Sequence, residues 1–167
     1  MQDKVKGYSR VQVGLHWAVV VLVAFQFLAH NAIEAAWNAG NAQTAEGSAN
    51  PILVTMHIVG GVLVLLMALT RIYLRVTRGA PEPPADEPRI MKLISEAVHG
   101  LIYVMLLALP ASGIMAWFFG IRLAAVAHEY LQAGLLGLIA AHIGGALFQH
   151  LIRRSDVMMR MFAPDKA

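Results

Sequence analysis

His128 and His142 lie fourteen residues apart on one apolar stretch. Fourteen steps of ~100° bring the second side chain to within about 40° of the first, at a rise of ~21 Å. One helix can therefore present two imidazoles on a single face at two depths. His16 lies near one end of a first apolar stretch, and His57 lies near the opposite membrane face on a second. Together the four imidazoles make two pairs at two levels, the arrangement that two haems need when each iron takes an axial histidine from either side. Such a pair relays electrons and binds no oxygen, because two axial imidazoles leave no open iron position.

A histidine inside a spanning helix is costly unless it faces the bundle interior and has a partner, so each of the seven histidines asks for a reason. By depth, His16, His99, His142 and His150 fall at one level and His30, His57 and His128 at the other. The favoured pairs are His16 with His142 and His57 with His128. Gly60 and Gly61 follow His57, and Gly144 and Gly145 follow His142, so one turn from each ligand the helix face is bare enough for a flat macrocycle. Ordinary small-residue helix packing in lipid would also use such glycines. His30 competes by spacing, since it follows His16 by fourteen residues, and His99 competes by depth. His30 adjoins Asn31 and Glu34 at the end of its apolar run, and His150 runs into Arg153 and Arg154, so hydration explains both.

Arg10, Arg71, Arg75 and Arg153 sit at the rim where they could pair with propionates of one haem. His99 is placed at that rim to contact a propionate or a quinone head group, the latter with Ser95 and Arg71. Two rival readings use the same histidines: a transmembrane zinc or other metal-transport site, and a bundle without cofactor. The first wants several ligands at one depth, usually with carboxylates, and the segment interiors hold no Asp or Glu, only Glu96 and Glu129 at rims.

The elements that must carry these residues are legible in the composition. Of the 167 residues, 58% are hydrophobic and 14% charged, with a mean hydropathy of +0.61, an excess over soluble domains that points to a lipid solvent. Four apolar stretches, about 11–29, 52–74, 97–119 and 127–152, are long enough to span a bilayer. The expected fold is all-α, one transmembrane domain over residues 1–167 built as an up-down-up-down four-helix bundle. The first stretch leads into Glu34, Trp37 and Asn38 with no small-residue cleavage site, so it is expected to stay in the mature protein.

Loop one, from His30 to Pro51, has room for a short amphipathic stretch on the outer surface, and Pro51 suits the first turn of the second spanning helix. The second connection, from Gly79 to Pro88, is rich in proline and reads as an extended polar connector. The third, Gly120 to Val126, is so short that its two helices must be antiparallel neighbours.

Of the 13 Lys and Arg residues, Lys4, Lys6 and Arg10 precede the first stretch, Arg71, Arg75, Arg78, Arg89 and Lys92 surround the second connection, and Arg153, Arg154, Arg160 and Lys166 follow the fourth stretch. Only Arg122 lies at the other side. The positive-inside rule then puts both termini in the cytoplasm, and the basic pI of ≈ 9.5 is a topology signal with no nucleic-acid partner behind it. With no cysteine, the chain has no disulfide, thiolate-ligated haem, iron-sulfur cluster or covalent haem attachment of its own.

The motifs, in order, are Tyr8-Ser9-Arg10, Leu15-His16-Trp17, Met56-His57-Ile58, His99-Gly100-Leu101-Ile102-Tyr103, Ala108-Leu109-Pro110 with Gly113, Ala127-His128-Glu129, Ala141-His142, and Arg154-Ser155-Asp156 leading into Met159-Arg160-Met161. In this order and spacing the chain resembles the bacterial di-haem cytochrome b561 family, related to the cytochrome b subunits of formate dehydrogenase and nickel-iron hydrogenase. The resemblance implies two b haems, ligated by His16 and His142 and by His57 and His128, in a bacterial inner-membrane protein. It also implies exchange of electrons between the extracytoplasmic side and ubiquinone or another quinone. One branch resembled is a superoxide oxidase, which would make superoxide the donor at the outer face. The alternative is a membrane subunit or shuttle serving a dehydrogenase or a periplasmic redox protein. This chain's third connection is shorter than that branch's and offers an anion only Arg122.

Overall fold

Ser9 starts the first helix. Its hydroxyl accepts the Gln12 N–H at 3.3 Å while the Gln12 side chain accepts the Ser9 N–H at 3.0 Å, a reciprocal cap for two donors that a helix start otherwise orphans. The computed structural model describes residues 7–42, 50–84 and 86–163. Lys4, Lys6, Lys166, Ala85 and part of loop one lie outside the described residues. Within them run α1 (Arg10–Leu28), α2 (His30–Ala42), α3 (Pro51–Arg78), α4 (Arg89–Phe119), α5 (Arg122–Leu151) and a short 3-10 turn, Met159–Met161. All regular elements among the described residues are helical, and α1, α3, α4 and α5 are long and apolar enough to cross a membrane.

The helices overrun the apolar stretches that announce them. α3, α4 and α5 have 28, 31 and 30 residues, about 42–47 Å at 1.5 Å per residue against a hydrocarbon core of ~30 Å. Their ends therefore stand in the headgroup region. α4 begins at Arg89, well before Ala97, because Arg89, Lys92 and Glu96 form helix readily while remaining wet. α5 begins at Arg122, leaving Gly120 and Ile121 as the whole link. Gly120 adopts φ 65, the left-handed conformation that glycine takes without a steric cost, and its N–H closes α4 on the Ala116 carbonyl. Pro51 occupies the first turn of α3, where the Asn50 side chain caps Ile52 N–H at 3.0 Å. The amphipathic stretch expected in loop one is a helix of 13 residues, α2, packed against α1 and α3.

In the bundle α4 packs on α5, α1 on α3, and α3 on α4. The core is a layer of Val19, Val23, Val64, Ala68, Leu106 and Leu135, contributed by all four spanning helices. Its position in each helix falls between the two histidine levels. The outward faces remain apolar, with Val21 66% and Leu123 78% exposed, as a lipid-facing surface requires. At the basic end, the connector is strapped down: the Gln149 amide donates to Glu87 at 2.6 Å, Arg160 to the Glu82 carbonyl at 2.7 Å, and Gln12 to the Gly79 carbonyl at 3.3 Å. Trp17 donates to the Met161 carbonyl at 2.8 Å and packs against Phe162 with ring centres 5.1 Å apart and planes tilted at 44°, seating the C-terminal turn on α1.

Candidate functional site

The face shared by His128 and His142 on α5 meets one histidine at each level. At the basic end His16 of α1 lies opposite His142, with ring centres 6.2 Å apart and planes at 59°. At the other end His57 of α3 lies opposite His128, with ring centres 6.5 Å apart and planes at 60°. A metal–imidazole bond of ~2.0–2.1 Å, plus roughly 1.1 Å from nitrogen to ring centre, places two rings facing across one iron at about 6.3 Å. Both pairs fit a bis-histidine haem by that measure. His99 shares the basic-end level, but its ring centre is 4.9 Å from that of His142, too close for an iron to stand between them.

His128 is held in one tautomer. Its Nδ1 lies 2.9 Å from the Leu109 carbonyl oxygen and 3.1 Å from the Ser112 hydroxyl, which itself donates to that carbonyl at 2.9 Å. Nδ1 therefore carries the proton and donates it, leaving the Nε2 lone pair for a metal. Gly113 lies directly beneath: a Cβ there would stand 3.2 Å from His128 Cε1 and 3.4 Å from Nδ1. Sequence reasoning missed this support. Its signal was Ser112, a buried polar residue in an apolar run, two residues after Pro110. His57 has no such partner, and its Nδ1 is buried without a hydrogen bond.

Of the glycines expected to clear the macrocycle faces, Gly61, Gly144 and Gly145 have open space where a Cβ would sit, whereas Gly60 is covered by the Gln26 side chain. At the basic end His99 Nδ1 donates to the Ser95 carbonyl at 2.6 Å. Arg71 donates to the Gln12 carbonyl at 3.3 Å, and both Arg71 and Arg75 are near enough to Tyr8 and His99 to act on them electrostatically. Burial pushes the Tyr8 phenol above its usual value, with Arg75 opposing. Arg10 is exposed at the first turn of α1. Arg153 is committed elsewhere, bonded to the Asp86 carboxylate at 2.8 Å and its carbonyl at 3.0 Å. His30 heads α2 at 3.7 Å from Glu34. Among the described residues no three His, Cys, Asp or Glu gather in a way that could hold a metal ion.

Residues 7–164 match the family model described as prokaryotic cytochrome b561. The chain belongs to the prokaryotic cytochrome b561 family. It is 31% identical over 161 residues to a protein named cytochrome b562 from Cereibacter sphaeroides, covering 95% of this chain and 96% of that one. "Probable superoxide oxidase CybB" of Yersinia pestis is 27% identical over 179 residues, 93% of this chain and 96% of its own. Cytochrome b561 homolog 1 of Escherichia coli K12 is 25% identical over 177 residues, 92% and 96% of the two chains. A cytochrome b561 is a multi-pass bacterial membrane protein with b-type haem and a part in electron transport, and the four apolar helices agree with that.

Proposed function

We propose that this member of the prokaryotic cytochrome b561 family is one transmembrane domain, residues 1–167, that holds two b haems and passes electrons between the extracytoplasmic side and the quinone pool of the bacterial inner membrane. The observation that carries the reading is the pair of ring separations, 6.2 and 6.5 Å, at two levels of one bundle. His16 and His142 hold one haem, and His57 and His128 the other. Bound haem supplies reversible one-electron exchange at each level. The apolar layer between the pairs keeps water out of the interior. Arg71 and Arg75 are the cations placed to balance propionates at the basic end, with Arg10 more peripheral. With Arg122 alone among 13 Lys and Arg residues at the opposite end, the basic end is cytoplasmic and so are both termini.

Quinone binds at the basic end, where His99, Ser95 and Arg71 supply polar contacts beside the His16–His142 pair. His99→Ala is expected to keep both haems and to slow haem reduction by added quinol. The check is haem content and quinol-driven reduction on one preparation. Loss of the basic-end haem signal would instead make His99 a ligand and one of its neighbours misassigned.

The donor at the outer end divides two readings. The relative named a superoxide oxidase supports superoxide as substrate. Against it, the cavity beside His57 and His128 is lined by Glu34 and Glu129 as well as Arg122, two carboxylates to one guanidinium, which steer a small anion away. That favours a carrier serving a dehydrogenase or a periplasmic redox protein. The experiment is superoxide consumption by purified holoprotein with ubiquinone, beside a haem-free control. Equal rates support the carrier, and quinone-dependent turnover supports the oxidase.

A further inference from the structure

Two buried groups near the outer histidine pair lack hydrogen-bond partners: Nδ1 of His57, and both the nitrogen and the oxygen of the Gln26 amide. An unpartnered amide in the interior of a membrane protein is expensive, and an orphaned donor and an orphaned acceptor lining one cavity call for explanation. Gln26 reaches across from α1 and lies on Gly60, occupying the space that a Cβ there would need. Gly60 is one turn from His57 on α3, and Gln26, His57 and His128 line one apolar cavity.

We infer that Gln26 is the positioning residue for His57: its amide oxygen accepts the His57 Nδ1–H and turns Nε2 toward the iron. The inference rests on the proposed outer haem. A metal-bound histidine almost always donates its second ring N–H, which fixes the ring and makes it a stronger ligand. His128 already does so through the Leu109 carbonyl. Of the two side-chain amides that line the cavity, Gln132 follows His128 by one turn on α5, whereas Gln26 reaches in from α1. Gly60 keeps the seat open for the amide.

The test uses holoprotein carrying Gln26→Leu, Gln26→Glu or Gly60→Ala, read by haem-to-chain ratio, redox titration of each centre and electron paramagnetic resonance of the ferric state. Removing the acceptor weakens the outer ligand, so Gln26→Leu raises the outer potential and loosens haem there about 10-fold or more. A carboxylate acceptor strengthens the ligand, so Gln26→Glu keeps the haem and lowers that potential. Gly60→Ala displaces the amide and follows the leucine variant. The inner centre stays unchanged throughout. Two haems bound with an unmoved outer centre in both Gln26 variants would overturn the inference while leaving the di-haem reading intact. Loss of the outer haem in the leucine variant with retention in the glutamate variant supports it. A ratio near one in the unmutated protein, with that one haem lost in His142→Ala, would remove the outer site and both readings with it.

Discussion

His142→Ala is expected to remove one of the two low-spin haem signals of the proposed di-haem protein and to leave the other unchanged. His142 faces His16 at 6.2 Å, and without it a haem held at the basic end would keep one protein ligand. His99 does not stand in the place of His142, its ring centre lying 4.9 Å away. The outer pair is ~21 Å away along α5 and has its own support at Leu109 and Ser112. The haem-to-chain ratio therefore falls from about two to about one, read by optical spectra and haem quantitation on protein whose helicity is unchanged. Loss of both signals from a folded protein would argue that the pairs are not independent.

Gly113→Leu has the mirror effect. A Cβ at this position already presses on His128 at 3.2 and 3.4 Å, tighter than ordinary contact, and the remaining leucine carbons must displace the ring. Displacement breaks the Nδ1–H bond to Leu109 and swings Nε2 off the axis toward His57. The outer haem is expected to be lost and the inner one retained, again leaving about one per chain. Gly113→Ala, with only the Cβ added, keeps both haems and perturbs the outer spectrum alone. An outer signal unaffected by leucine would mean that His128 is not a ligand in this orientation.

Much of this architecture was legible because lipid punishes polarity. The apolar stretches mark the spans, and interior histidines stand out against them. The interval from His128 to His142 gives two levels on one helix by arithmetic alone. The helix ends were less legible: α4 begins at Arg89 and α5 at Arg122, since backbone hydrogen bonding continues past the residues that lipid selects. Arg153 looked like a rim cation, and only the folded connector shows it spent on Asp86. The support of His128 is a backbone carbonyl, which the sequence marks only through the neighbouring Ser112, and the partner inferred for His57, Gln26, comes from a different helix. His99 was correctly placed in depth, but its 4.9 Å approach to His142 depends on how α4 packs on α5.

The most direct measurement is the haem-to-chain ratio of the purified protein, from the pyridine haemochrome spectrum and amino-acid analysis of one sample. Two ring pairs spaced for iron, at 6.2 and 6.5 Å, predict about two b haems per chain. A ratio near one would contradict the account, because one of the pairs would then hold nothing.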